Sequence, residues 1–142
     1  MTLNAILKAK PPGFIAVVPE MPISGVIGVL AEKRIGAVLV VQDGELVGIL
    51  SERDVVRSLA NHPATLERKA RELMTPNPTT ATRATTVAQA MEMMTDGHFR
   101  HLPVVEDGKL VGLVSIGDVV KARIDQSQHE VESLRSYVAG GV

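Results

Sequence analysis

Ile35-Gly-Ala-Val-Leu-Val-Val-Gln-Asp-Gly-Glu-Leu-Val-Gly-Ile-Leu-Ser-Glu-Arg-Asp-Val-Val56 returns 64 residues later as Phe99-Arg-His-Leu-Pro-Val-Val-Glu-Asp-Gly-Lys-Leu-Val-Gly-Leu-Val-Ser-Ile-Gly-Asp-Val-Val120. With no gap, 11 of the 22 positions are identical, and several others exchange one apolar residue for another. Self-similarity of this kind marks a duplicated unit. The same offset carries upstream, where Ile23, Val26, Ile27 and Leu30 fall on Val87, Ala90, Met91 and Met94. Two copies in 142 residues predict one globule with approximate internal twofold symmetry.

Each copy reads the same way. Apolar residues at helical spacing (Val26, Ile27, Leu30; Val87, Ala90, Met91, Met94) predict an amphipathic helix. A short apolar strand follows, Ala37 to Val41 or Leu102 to Val105. Asp43-Gly44 and Asp107-Gly108 then predict two-residue hairpin turns in which glycine supplies a positive φ. The return strands, Leu46 to Leu50 and Leu110 to Val114, are apolar runs expected to be buried on both faces, and a second helix begins at Ser51 or Ser115. Short β-prone runs, Ile15 to Val18 and Thr79 to Ala81, precede the first helix of each copy.

Composition closes several functional classes. The absence of cysteine excludes disulfide scaffolds, thiolate zinc sites and a cysteine nucleophile. Fifteen basic against 16 acidic residues give a net charge of −1, so no overall field draws nucleic acid or an anionic membrane. Phe14, Phe99 and Tyr137 are too few for base-stacking platforms. Met21 to Ala31, the longest uncharged apolar stretch, falls short of the roughly 18 residues of a membrane span. Met1 to Lys10 lacks the order of a secretory signal. A soluble, cytoplasmic protein is expected.

Between the copies, Asn61-His62-Pro63 breaks the chain; Leu66, Ala70, Leu73 and Met74 then predict one apolar helix face that Pro76-Asn-Pro78 stops. After the second copy, Ile124, Ser127, Val131, Leu134 and Val138 alternate steps of three and four, the spacing of a coiled-coil seam. That helix either packs on its own domain or forms a dimer contact ended by Gly140-Gly141.

The local signal closest to chemistry is Ser51-Glu-Arg-Asp54 with its echo Ser115-Ile-Gly-Asp118, each where a strand gives way to a helix. Ser-x-x-acid is a helix-capping pattern, and duplication alone would copy a cap. The same parts also describe a nucleotide site. A helix N-terminus with a serine hydroxyl suits a phosphate, and an ionised aspartate accepts both hydroxyls of a ribose diol. Arg100-His101 departs from symmetry, standing where the first copy has Gly36-Ala37. An arginine fork and a histidine suit a phosphate; a solvated surface pair is the plainer reading. Arg53, a cation in the first turn of a helix, is unfavourable there unless an anion lies near. His98-x-x-His101 lacks a third ligand for zinc, and no Walker lysine, G-x-G-x-x-G loop or G-x-S-x-G elbow exists. Met91, Met93 and Met94 read as core filler.

With the repeat and both Ser-x-x-Asp helix starts in view, the sequence resembles a pair of cystathionine-β-synthase (CBS) domains, a Bateman module. The matching stretches are Ile35 to Val41, Leu46 to Asp54, Leu73-Met-Thr-Pro76, Arg100 to Val105 and Leu110 to Asp118, within a coverage of about residues 5 to 124. The resemblance implies an α/β (α+β) fold of two β-α-β-β-α units about a pseudo-twofold axis. Residues 5–62 would form the first repeat, 63–76 a linker helix, 77–124 the second repeat, and 125–142 a C-terminal helix and tail. It implies adenosine-containing ligands (AMP, ADP and ATP, with NAD or S-adenosylmethionine as further members) in two clefts between the repeats, no required cofactor, no metal and no catalysis. One cleft would combine Ser51 and Asp54 with Thr79, Arg100, His101 and Pro103; the other, Ser115 and Asp118 with Ile15, Gly36 and Ala37. Arg53 and Arg100 would lie near the axis. Gly36-Ala37 would leave the second cleft poorer in cations. The resemblance also implies a homodimer, for which the helix faces Val26, Ile27, Leu30 and Leu66, Leu73 are available, and a regulated protein partner in trans. A protein-docking module with no physiological nucleotide is the competing class.

Overall fold

The computed structural model describes residues 1–140. In chain order the elements are α1 (Leu3–Ala9), β1 (Ala16–Val17), α2 (Ile23–Lys33), β2 (Ala37–Gln42), β3 (Glu45–Ser51), α3 (Glu52–Asn61), a 3-10 turn (Thr65–Glu67), α4 (Ala70–Leu73), β4 (Thr75–Pro76), α5 (Val87–Gly97), β5 (His101–Glu106), β6 (Lys109–Ser115) and α6 (Ile116–Gly140). Each repeat is therefore helix, hairpin, helix in a mixed α/β arrangement, and the second ends in a long C-terminal helix. The expected end of that helix at Gly140-Gly141 falls partly outside the described residues.

The two hairpins share one geometry. Asp43 and Gly44 have φ of 51° and 81°, and Asp107 and Gly108 have 50° and 77°, so both central residues of each turn are left-handed, the twist that suits a two-residue hairpin. A register shift follows at Val40/Val41 and again at Val104/Val105. Parallel β1 flanks β2 and antiparallel β4 flanks β3, making a four-stranded sheet. In the second repeat the expected strand Thr79 to Ala81 is reduced to a single bridge, Ala81 to Val104. The return strands are not buried on both faces: Gly48 and Leu50 are buried, whereas Leu46, Val47 and Ile49 are only half-buried.

Two apolar cores result, and each borrows from outside its own repeat. Val17, Ile23, Val26, Val38, Val40 and Leu50 form the first with Ala70. Leu102, Val104, Val114, Val87 and Val119 form the second with Leu3 and Ile6. The segment preceding each repeat thus packs into the other one. The Leu3 N–H bonds to the Thr85 carbonyl at 2.9 Å, and the Ile23 N–H to the Arg68 carbonyl at 2.8 Å. Residues 5–9, which sequence order puts with the first repeat, lie in space with the second.

The linker helix is broken. Leu66 is 46% exposed, and Thr65 is fully buried with its hydroxyl 2.7 Å from both Ser58 Oγ and the His62 carbonyl. Lys69 is extended because the chain there pairs with the entrance to α2, where the Ala70 N–H bonds to the Met21 carbonyl at 2.8 Å. Pairing with a distant segment overrides the local periodicity. The face Val26, Ile27 and Leu30 is likewise spent in the first core and is not open to a partner. Among the described residues, the large apolar side chains left in water on the α-helices are Val56 and Leu59 of α3 and Val120, Ile124, Val131, Leu134, Tyr137 and Val138 of α6.

Candidate functional site

Both return strands end in a serine that caps the next helix. The Ser51 N–H donates to Asp54 Oδ2 at 2.8 Å while the Asp54 N–H reaches Ser51 Oγ at 3.4 Å. Ser115 and Asp118 repeat this at 2.9 Å and 3.1 Å. Each pair is a reciprocal capping box. Capping occupies only one oxygen of each carboxylate; neither Oδ1 has a hydrogen-bond partner among the described residues.

Asp118 opens into a cavity of about 820 Å³ that both repeats line. A volume of this order is ordinary for a small-molecule pocket. Ile15, Gly36 and Ala37 from the first repeat meet Ser115 and Asp118 from the second there. Gly36 faces the His101 imidazole and the Glu52 carboxylate: a β-carbon on it would sit 3.7 Å from both, in ordinary contact. The remaining wall is basic, with Lys8, Lys10, Arg34, Arg83 and His101 on it and Asp118 as its one acid among the described residues. The expectation of a cation-poor second cleft is therefore corrected. Its cations come from the α1 arm, from the residue that ends α2, and from the loop before α5, none of which lies in the 22-residue stretch whose two copies match.

His101 is also corrected. Expected beside Asp54, it lines the Asp118 cavity, because the hairpin register pairs it with Ser115 at the head of α6. Burial holds its pKa below 6.5, opposed by the Asp118 and Glu52 carboxylates and reinforced by Lys10 and Arg100. Burial alone would raise Asp118. The Lys10 ammonium, 2.7 Å from Oδ2, and the hydrogen bonds from Ser115 outweigh it and hold the carboxyl below its ordinary 3.8.

The other expected site residues are more scattered. Arg53 and Arg100 share a shallow recess of about 390 Å³ with His98 and Phe99. Thr79 is exposed, and Pro103 is buried in β5 opposite Leu113. None of Ser51, Asp54, Thr79, Pro103 or Arg100 borders the large cavity. Lys8, Lys10, Arg34 and Arg83 are the charged lining residues the sequence did not single out. Their only local sign is for Arg34, a cation closing a helix with φ of 54°.

A family model described as "CBS domain" matches residues 11–61 and 70–125. The chain belongs to the CBS-domain family as a tandem pair, a class of non-catalytic modules. It is 37% identical over 118 residues to the CBS domain-containing protein CBSX3, mitochondrial, of Arabidopsis thaliana, a match covering 79% of this chain and 57% of that protein. Among solved structures, a CBS-domain-containing protein of Agrobacterium tumefaciens shares 41% identity at a TM-score of 0.84, covering 87% of this chain and 99% of that one. A CBS domain protein of Pyrobaculum aerophilum complexed with AMP shares 29% identity at a TM-score of 0.75, covering 83% of this chain and 89% of that one. No helix among the described residues is long and apolar enough to cross a membrane.

Proposed function

We propose that this chain is a regulatory module that binds adenosine-containing nucleotides between its two repeats, AMP and ATP foremost, and catalyses nothing itself. The observation that carries this reading is the cavity that draws on both repeats and sets one carboxylate against a basic wall. The Asp118 carboxylate accepts the ribose diol, one hydroxyl on its free Oδ1 and the other on Oδ2, and the phosphates face Lys8, Arg34 and Arg83. The base lies along Ile15 and the backbone of Gly36-Ala37. A second site would take the ribose on Ser51 and Asp54 with Thr79 and Pro103, and its phosphate would meet Arg53 and Arg100 in the shallow recess those two share. The AMP complex of the Pyrobaculum aerophilum relative supports the ligand class. NAD and S-adenosylmethionine are further members of it. A ligand touching both repeats shifts their arrangement only if it prefers one arrangement. That shift is what a regulated protein partner in the cytoplasm would read.

Calorimetry of the full chain with AMP, ATP, NAD and S-adenosylmethionine is the test. Binding weakened by Asp118→Ala or Asp54→Ala supports the reading; no heat and no thermal shift at millimolar ligand overturns it. The exposed apolar stripe on α6 favours a second reading, a dimerisation module whose clefts have no physiological ligand. Dimerisation indifferent to nucleotide, with no thermal shift, would decide for it.

A further inference from the structure

We infer that Lys10 is a built-in occupant of the Asp118 carboxylate, and that it makes this cleft prefer a phosphorylated nucleoside to the bare nucleoside. The inference rests on the nucleotide reading above and specifies how that same site selects its ligand. Lys10 Nζ bonds to Asp118 Oδ2 at 2.7 Å and to the Leu113 carbonyl at 2.9 Å, joining residues 108 positions apart. Oδ2 also accepts the Ser115 N–H, so both of its lone pairs are taken. In the other repeat the corresponding lone pair of Asp54 is filled by the Ser51 hydroxyl at 3.0 Å, with no cation involved. The position 64 residues after Lys10 is Met74. The lysine is a feature of one half only.

The arm holds Lys10 in place. Leu3 and Ile6 anchor α1 in the second core, Lys10 ends that helix, and Pro11-Pro12 stiffen the chain beyond it. A rotamer change is then the lysine's only freedom. A ribose diol that takes Asp118 with both oxygens must displace the ammonium. A neutral nucleoside offers nothing in return, leaving Lys10 beside Lys8, Arg34 and Arg83, none of which has a carboxylate within salt-bridge distance among the described residues. A phosphate gives the displaced ammonium a new partner in the same cavity. Selection then follows from charge balance, because only the anionic ligand restores the ion pair that its sugar breaks.

The test titrates the full-length wild type, Lys10→Met and Lys10→Gln with adenosine and with AMP, reading the Asp118 amide by NMR so that this cleft is separated from the one around Asp54. Methionine is the residue the first repeat already carries at the matching position; glutamine keeps length and polarity should methionine unfold the chain. Wild type should prefer AMP. Removing the cation should tighten adenosine about fivefold and leave AMP unchanged or weaker, so the preference falls at least by that factor. An AMP-to-adenosine ratio equal in wild type and both variants overturns the role of Lys10 while leaving the nucleotide reading intact. Binding of neither ligand to any of the three proteins overturns the nucleotide reading and this inference with it.

Discussion

Met74 closes over Gly48: its Cγ lies 2.9 Å from the point a β-carbon there would occupy, and the neighbouring Thr75 carbonyl oxygen lies 3.0 Å from it. This contact is where the arm of one repeat seals the sheet of the other, with β4 paired to β3 at Gly48 and Ile49. Gly112 holds the matching place under α1, but its nearest neighbour is Leu7 Cδ2, at 2.7 Å, the end of a flexible side chain. Gly48→Ala must displace the Met74 side chain from Cγ outward and ease the Thr75 carbonyl as well, whereas Gly112→Ala need only move a methyl group. Urea unfolding should therefore find Gly48→Ala destabilised by about 1–3 kcal/mol, within the range for overpacking, and Gly112→Ala by clearly less. Equal losses would mean the Met74 arm yields as readily as the Leu7 side chain.

What could be read from the sequence was local. The Asp-Gly turns, the helices over Ile23–Lys33 and Val87–Gly97 and the two Ser-x-x-Asp caps are each decided within a few residues, and duplication wrote every one of them twice. The exchange of arms was not legible, because Leu3 and Ile6 fit either core by hydrophobicity, and distant pairing makes the choice. For the same reason the Leu66 to Met74 periodicity promised one helix and yielded a 3-10 turn and a single α-turn. The site divided likewise. The carboxylates and Gly36 lie within the 22 matching residues and could be found; the lysines and arginines of the basic wall come from outside them.

Asp118 links the arm to acid stability. Its folded pKa lies below the ordinary 3.8, chiefly because the Lys10 bond and the Ser115 hydrogen bonds outweigh desolvation. The unfolded chain therefore binds this proton at higher pH than the folded one. The stabilisation is complete well above 3.8 and is lost as pH falls through the folded value. Asp118→Asn cannot titrate. Its stability deficit relative to wild type, measured by urea unfolding, should be largest near neutrality and shrink as pH falls below about 4. A deficit that stays constant through that range would remove the ionic role.

His101 acts in the same direction, at higher pH. Burial depresses its pKa below 6.5, so over the interval beneath that value the unfolded chain carries the proton and the folded chain does not. Its contribution is intact above 6.5 and falls as the solution is acidified through it. His101→Gln should flatten the stability profile between about pH 7.5 and 5.5. A phosphate in the cavity would add a negative charge beside the imidazole and raise its pKa, so AMP binding near pH 6.5 should take up protons. Calorimetry in buffers of different ionisation enthalpy measures that uptake directly. Zero uptake, with binding intact, would put the phosphate away from His101.

The C-terminal helix sets a prediction about assembly. Beyond Ala122, the last buried residue of α6 among the described side chains, the helix continues to Gly140, roughly 27 Å at 1.5 Å per residue. Ile124, Val131, Leu134 and Val138 are 52%, 48%, 64% and 63% exposed, at the alternating spacing of a seam. A helix of this length with that stripe in water is costly to leave uncovered. A second copy of the chain is the partner certain to present a complementary seam, together with the exposed Val56, Leu59 and Val120 nearer the globule. Sedimentation at micromolar concentration should give a dimer, and Val131→Glu with Leu134→Glu should give a monomer. These two side chains belong to neither core, so the variant should keep its circular dichroism and its cavity. Wild type sedimenting as a monomer, or the variant remaining dimeric, would show that the stripe is not where two copies meet.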